Sequence, residues 1–284
     1  MGLRLDRLTS LYIASPLMRF VPKRQLSIPI LMYHSIAEKD ESRVRAYFRT
    51  ATSPAAFAAQ MEYLSRNGYR TCSVAQVVER LNASSEDASK SVAITFDDGY
   101  ADFYRNAFPV LNQFNFTATM YLPTACIGES PLRFKEWDCL TWSQVRELQG
   151  YGISFGSHTV THPQLRNLGE SAIERELVDS RSVIEERTGC GVDSFAYPYA
   201  FPKTDDKFKK RLREALVRAG YRNGVCTIVG RANRGSDPLF LQRLPINSLD
   251  DTALFQAKLA GAYDWVALPQ SLIKQAKIAS TGKE

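Results

Sequence analysis

Apolar residues gather into seven short runs between residues 28 and 248: Ile28–His34, Val92–Phe96, Thr117–Leu122, Ile153–Ser157, Ser194–Tyr197, Gly224–Val229 and Leu239–Ile246. Most are rich in β-branched or aromatic residues and alternate only weakly, which predicts strands covered on both faces of a parallel sheet. Between them the spacing changes to that of helices. Pro54–Asn67 follows Ser53, an N-cap residue type, sets Phe57, Met61 and Leu64 at i, i+4 and i+7, and closes at Gly68. Val74–Leu81, Tyr104–Phe114, Trp142–Gln149, Glu170–Thr188, Asp206–Ala219 and Asp251–Ala262 read the same way, and Gly189 and Gly220 end two of them. Strands alternating with helices predict βαβ units with right-handed crossovers. Seven such units fit a closed or nearly closed α/β barrel, in which chemistry sits where strands end and loops begin. Asn82–Lys90 is a polar loop, and residues 126–140 are an irregular insertion, carrying Phe134 and Trp137, of the kind that forms lids or binding loops. There is no internal repeat and no linker.

Composition narrows the class. The 284 residues are 44% apolar and 23% charged, which excludes disorder, collagen and coiled coil. No window approaches the ~18 uninterrupted apolar residues of a membrane span. The net charge is +6, but Arg4, Arg7, Arg19, Lys23 and Arg24 stand against Asp6 alone in residues 1–24. The body is therefore near neutral, and nothing predicts a nucleic-acid partner. The basic arm is also apolar, with Leu8, Leu11, Tyr12, Ile13, Leu17, Met18 and Phe20. Pro16 is expected to split it, so that no single helix runs through. It reads either as a surface arm packed on the body or as a peripheral membrane contact resting on anionic lipid. Its apolar stretch is short and broken for a signal peptide. Five cysteines without a CxxC pair predict reduced thiols. The expected location is cytoplasmic, peripheral at the inner face of the membrane if the arm meets lipid.

Only three histidines exist, His34, His158 and His162, each at or just beyond a strand end. In SHTVTHPQL, a helical turn over 158–162 would put both imidazoles on one side, able to grip one divalent cation at about 2.0–2.1 Å. Alone, the pair reads equally as polar turn residues. In AITFDDGY an apolar strand runs into Asp97, Asp98 and Gly99. Adjacent carboxylates repel and lose solvation unless a cation or a functional role compensates. Their side chains diverge, so one can ligate a metal while the other faces substrate, and Gly99 permits a sharp turn. Alone, this reads also as a turn capping the next helix. Taken together, two imidazoles and one carboxylate leave a ligand position open, as catalytic sites do, and the second carboxylate can serve as general base. That is chemistry for hydrolysing an ester or amide. In FAYPYA, residues 195–200, Pro198 fixes the backbone, Tyr199 can offer its N–H to an oxyanion, and Tyr197 and Tyr199 can line a sugar site.

TFDDG, SHTVTHPQL and the YPY loop, in this order, resemble the NodB-homology polysaccharide deacetylases (carbohydrate esterase family 4). PILMYHSI followed by F-x-x-Q-M-x-Y-L-x-x-x-G-Y resembles the branch acting on poly-N-acetylglucosamine and other bacterial exopolysaccharides, the polymers of biofilms. The resemblance covers about residues 28–250. It implies a distorted (β/α)7 barrel, a single domain over residues 25–284 with C-terminal helices behind the arm of residues 1–24. It implies a divalent metal, usually zinc with cobalt or nickel accepted, and removal of acetyl groups from an N-acetylated polysaccharide or oligosaccharide. Asp97 matches the general base, Asp98, His158 and His162 the metal ligands, and Tyr199 the backbone N–H that steadies the oxyanion.

The chain departs from the family twice. Ala196 stands where many members carry an Arg that orients the catalytic Asp, and Arg243, in LQRLPIN, is the candidate replacement. Many members have a late His as general acid, but this chain has none after residue 162, which leaves His34 to protonate the leaving amine or bind the sugar. These departures keep two alternatives open: a glycan-binding protein on a deacetylase scaffold, and a deacylase or deformylase of a lipid-linked sugar, which the arm fits. Trp142, at a helix start, is expected in the core, and Trp137 in the core or as a sugar platform.

Overall fold

The seven apolar runs become seven parallel strands: β1 (Ile30–Tyr33), β2 (Ser91–Phe96), β3 (Thr119–Leu122), β4 (Ser154–Ser157), β5 (Ser194–Ala196), β6 (Asn223–Val229) and β7 (Leu241–Pro245). In the computed structural model, which describes residues 4–18, 20, 26–83 and 90–267, each strand pairs with the next and β7 closes on β1. The ring is uneven. β1 and β2 share register from Ile30↔Ala93 to Tyr33↔Phe96, whereas β4 meets β5 only at Ser157↔Phe195, and β6–β7 shifts register between Val225 and Val229. This is the distorted (β/α)7 barrel. β1, β2 and β3 are buried along their whole length, as strands covered on both faces must be.

Seven helices accompany the strands: α1 (Pro54–Arg66), α2 (Val74–Ala83), α3 (Phe108–Gln113), α4 (Trp142–Gly150), α5 (Glu170–Thr188), α6 (Asp206–Arg218) and α7 (Thr252–Ala260). Their starts are set by side chains: Ser53, Thr141, Asp205 and Asp251 each accept a backbone N–H of the first turn. Phe57, Met61 and Leu64 of α1 are fully buried, as their spacing predicts. Val74, Val77 and Leu81 of α2 pack with Ile30, Ala93, Tyr121, Ala196, Val225 and Leu241 in a second apolar cluster. All five cysteines are free, and Cys72, Cys139 and Cys226 are buried.

The arm corrects one expectation. Residues Leu5–Met18 are helical throughout, and Pro16 does not end the helix. The stretch Ser10–Ala14 widens to a π turn, in which Ser15 donates its N–H to Ser10 O. The wider turn takes up the missing donor and the ring clash that a proline brings to an α-helix. The same device precedes Pro109, where Phe103–Ala107 is π-helical and leads into α3. Arg4 donates to Leu249 O at 2.7 Å, Arg7 pairs with Asp251 at 2.6 Å, and Tyr263 Oη donates to Asp6 at 2.9 Å, so this part of the arm lies on the α7 end of the body. Arg19, Lys23 and Arg24, and the C-terminal residues 268–284, lie outside the described residues.

Candidate active site

The sequence-derived candidates lie where barrel strands run into their loops, except Arg243, which sits within β7. β2 continues to Asp97, whose N–H donates to Tyr33 O at 3.0 Å. The backbone then turns left-handed at Asp98 (φ 70°) and Gly99 (φ 65°), so the turn begins one residue before the glycine. This reversal sends the two carboxylates apart. Asp98 meets His158 and His162, with Oδ1 3.6 Å and 3.2 Å from their Nε2 atoms. Asp97 meets Arg243 of β7, whose two terminal nitrogens donate to its two oxygens at 2.7 Å each. Arg243 is 1% exposed, and its Nε donates to Cys226 O.

The segment after β4 differs from the helical turn expected of it. Thr159 (φ 70°) and His162 (φ 55°) are left-handed, and the loop is irregular. Polar side chains replace the helical hydrogen bonds. Glu176 of α5 accepts the N–H groups of Val160 (2.7 Å) and Thr161 (3.0 Å) and the Thr161 hydroxyl, while Thr159 Oγ1 accepts the N–H of His162. The imidazoles still face one another, with ring centres 4.6 Å apart.

Asp98, His158 and His162 are all buried, and one ligand atom from each lies within 4.8 Å of the others. Hydrogen bonding tests whether a cation fits. His158 Nδ1 is 2.8 Å from Ala196 O, so it carries the proton, and in the neutral ring Nε2 presents a bare lone pair to Asp98. Two electron-rich atoms then face each other inside the protein, an arrangement that a cation between them relieves. His162 Nδ1 is buried without a hydrogen-bond partner among the described residues. One carboxylate oxygen and two imidazole nitrogens are the donor set of Zn²⁺ and its neighbours. The residues fit the metal.

Electrostatics separate the two acids. Burial alone would raise Asp97, but Arg243 outweighs it and holds the carboxyl below its ordinary range. Burial opposes ionisation of Asp98 too, and it is held well below its ordinary range when the facing nitrogens of His158 and His162 carry protons, a part that a cation between the three groups plays equally well. Burial lowers His34 and His162. His34, just past β1, places Nε2 4.0 Å from Asp97 Oδ2 with one-fifth of its side chain exposed. Tyr199 is left-handed (φ 57°), 46% exposed, and its ring centre lies 4.6 Å from that of His162. Its carbonyl accepts from Thr227 Oγ1 at 2.9 Å, and its N–H has no protein acceptor among the described residues.

These groups line one cavity of about 370 Å³. The insertion covers one side as a short hairpin, Arg133–Phe134 paired with Trp137–Asp138, and its turn residues Lys135 (φ 52°) and Glu136 (φ 78°) have the conformation such turns demand. Trp137 lines the cavity, whereas Trp142 is 3% exposed in the core. Sequence reasoning missed three residues. Lys135 reaches Asp98 Oδ2 at 3.3 Å, and Tyr100 donates to the same atom at 3.0 Å. Glu176 is the third. Tyr100, directly after the Asp-Asp-Gly turn, was the one within reach of inspection; Lys135 and Glu176 meet the site only through folding.

Paired acids beside two imidazoles at the mouth of a barrel are the equipment of a hydrolase, and comparison with known proteins supplies the family. The family profile for polysaccharide deacetylase matches residues 84–224. The chain is 30% identical over 225 residues to YxkH of Bacillus subtilis (strain 168), whose name places it in that family, covering 79% of this chain and 73% of that one. It is 32% identical over 139 residues to the poly-beta-1,6-N-acetyl-D-glucosamine N-deacetylase of Escherichia coli (strain K12), covering 45% of this chain but only 20% of that protein. The structure of the Streptococcus pyogenes deacetylase PplD in complex with acetate superposes with a TM-score of 0.72 at 27% identity, over 83% of this chain and 99% of that one. The chain belongs to the polysaccharide deacetylase family, the NodB-homology deacetylases.

Proposed function

We propose that this protein is a metal-dependent N-deacetylase acting on a glycan that contains N-acetylhexosamine, a bacterial exopolysaccharide or its precursor. The observation that carries the reading is the split pair of acids at one cavity, Asp97 clamped by Arg243 and Asp98 facing two imidazoles. A relative named for poly-beta-1,6-N-acetyl-D-glucosamine supports the choice of substrate. Asp98, His158 and His162 would hold the cation, with Zn²⁺ favoured by the donor set and Co²⁺ or Ni²⁺ as alternatives. When bound, such an ion polarises the acetamide carbonyl and makes water more acidic.

The chain's own groups do the rest. Asp97, ionised and fixed by Arg243, accepts the proton of the attacking water as its oxygen bonds to the carbonyl carbon. The Tyr199 N–H donates to the oxyanion that forms. His34, beside Asp97, meets the amine side. The C–N bond breaks, acetate leaves, and the proton passes to the amine nitrogen. Ala196 and the lack of a histidine after residue 162 are the ground for a binding-only reading; the clamp of Arg243 on Asp97 favours catalysis. Acetate release from poly-N-acetylglucosamine or chitooligosaccharide, abolished by chelation, restored by Zn²⁺ and absent in Asp97→Asn, is the expected result. Release that survives either treatment overturns the mechanism.

We also propose that the arm rests on anionic lipid at the inner face of the membrane. Leu5, Tyr12, Ile13, Leu17 and Phe20 are each more than half exposed, and residues 1–24 carry the basic surplus. No helix among the described residues is long and apolar enough to cross a membrane. Full-length protein is expected to co-sediment with phosphatidylglycerol vesicles, and the variant with Leu5, Tyr12, Leu17 and Phe20 changed to Ser to stay in the supernatant. Equal behaviour of the two removes the membrane reading.

A further inference from the structure

The mouth of the cavity carries more positive charge than deacetylation of a neutral sugar requires. Lys39, Arg49 and Lys135 all line it. Among the described residues, the only carboxylates lining it are Asp97 and Asp98. Asp97 is neutralised by Arg243 and Asp98 pairs with Lys135 at 3.3 Å, so the unbalanced cations are Lys39 and Arg49. The adjoining loop carries two exposed acids, Glu38 and Asp40, the latter acting on Arg49 through space, and one buried acid, Glu41. Asp40 accepts the N–H of Ser42, and Glu41, 8% exposed, accepts those of Thr50 and Ala51. Arg49 spends its Nε on Val44 O at 3.1 Å, which leaves its two terminal nitrogens for other partners. The Lys39 ammonium sits 4.6 Å from the Trp137 ring centre, so an aromatic plate and a cation lie side by side at the rim. Neither Lys39 nor Arg49 has a carboxylate within ion-pair distance among the described residues.

A cluster of like charges costs energy unless a counter-charge visits it, and a cleft of one sign concentrates ligands of the other. We infer that the glycan is anionic: the sugar next to the N-acetylhexosamine being deacetylated carries a carboxylate or phosphate that Lys39 and Arg49 receive at the cavity rim. This deepens the deacetylase reading and rests on it for the place of the acetamide. Arg49 suits either anion, because its planar fork pairs with two oxygens at once.

The test compares three oligosaccharides of equal length: neutral N-acetylglucosamine, N-acetylglucosamine alternating with a uronic acid, and N-acetylglucosamine joined through phosphodiesters. Acetate release and calorimetric binding are measured for each with the full chain and with Lys39→Gln/Arg49→Gln. An anionic arm is expected to bind about five- to tenfold more tightly than the neutral one, to lose that advantage in the double variant, and to weaken with salt. Whichever anionic arm shows this names the source of the charge. Binding of the neutral oligosaccharide is expected to stay unchanged in the variant. Equal binding of all three, or an anionic preference that survives in Lys39→Gln/Arg49→Gln, overturns the inference while the deacetylase reading stands. If no arm releases acetate, the deacetylase reading fails for these glycans, and the binding data still decide the charge preference.

Discussion

Arg243 stands 146 residues beyond Asp97 in the chain, yet its guanidinium takes both oxygens of that carboxylate at 2.7 Å. The pair is buried, so its geometry is fixed on every side. Lys cannot reproduce the two parallel hydrogen bonds. Arg243→Lys is expected to lower kcat/KM about 10- to 100-fold, the worth of a hydrogen bond to a charged group. Arg243→Met leaves a buried charge unpaired and is expected to cost about 3–5 kcal/mol in urea unfolding. Full activity in Arg243→Lys would remove the orienting role.

Removal of one ligand tests the cation site apart from turnover. Purified protein is expected to carry about one equivalent of divalent metal by elemental analysis, and His158→Ala or His162→Ala to carry almost none. Metal at 100-fold its Kd adds about 2.7 kcal/mol to stability, which a thermal melt reads as a higher Tm lost on chelation. A melt indifferent to chelator in wild type contradicts the site.

Gly156, in the strand that leads to His158, is packed from both sides. A Cβ there would meet the Tyr121 ring at 2.6 Å and Ser194 O at 2.8 Å. Gly156→Ala is therefore expected to cost about 1–3 kcal/mol and to shift His158 relative to Asp98. An unchanged urea midpoint would show that the barrel gives way there.

Thiol chemistry separates the cysteines. Burial pushes Cys72 up to about 11 and Cys139 to about 12, so neither forms thiolate near neutral pH. Cys190 is exposed. A thiol reagent at pH 8 is expected to modify Cys190 quickly and to reach Cys72, Cys139 and Cys226 only on unfolding. Mass spectrometry of the labelled peptides checks the order.

Docking of the arm depends on pH with a definite sign. Burial would raise Asp6, but Arg4 and Tyr263 hold it below the ordinary range, and Asp251 is lowered through the Leu254 N–H and Arg7. Groups whose folded pKa is depressed give stability above their unfolded value and lose it as pH falls through the folded one. The arm is expected to stay docked from pH 7 to 5 and to loosen progressively as pH falls below about 4 towards the depressed folded values. Hydrogen exchange over residues 5–18 measures this; uniform protection down to pH 3 would refute it.

Much of this was legible in the chain because local rules suffice for it. The seven strands are short apolar runs whose type depends on neighbours a few residues away, and α5 spans Glu170–Thr188 as its pattern and Gly189 predict. Asp97, Asp98, His158 and His162 stand beside strand ends, so a barrel brings them together. Illegible were features decided at long range or by compensation. The helix through Pro16 survives on a π turn that no spacing rule announces. The histidine loop is held by Glu176, fifteen residues away on another element. Lys135 meets Asp98 only because a hairpin folds back over the mouth.

Closure of β7 on β1 has a consequence for assembly. The three side chains that would capture an ion are all synthesised by residue 162, but the counter-charge of the base arrives with the last strand. Ligation of the ion thus draws on residues 98 to 162 alone, whereas the base needs both ends of the chain, and its counter-charge is in place only in the closed ring.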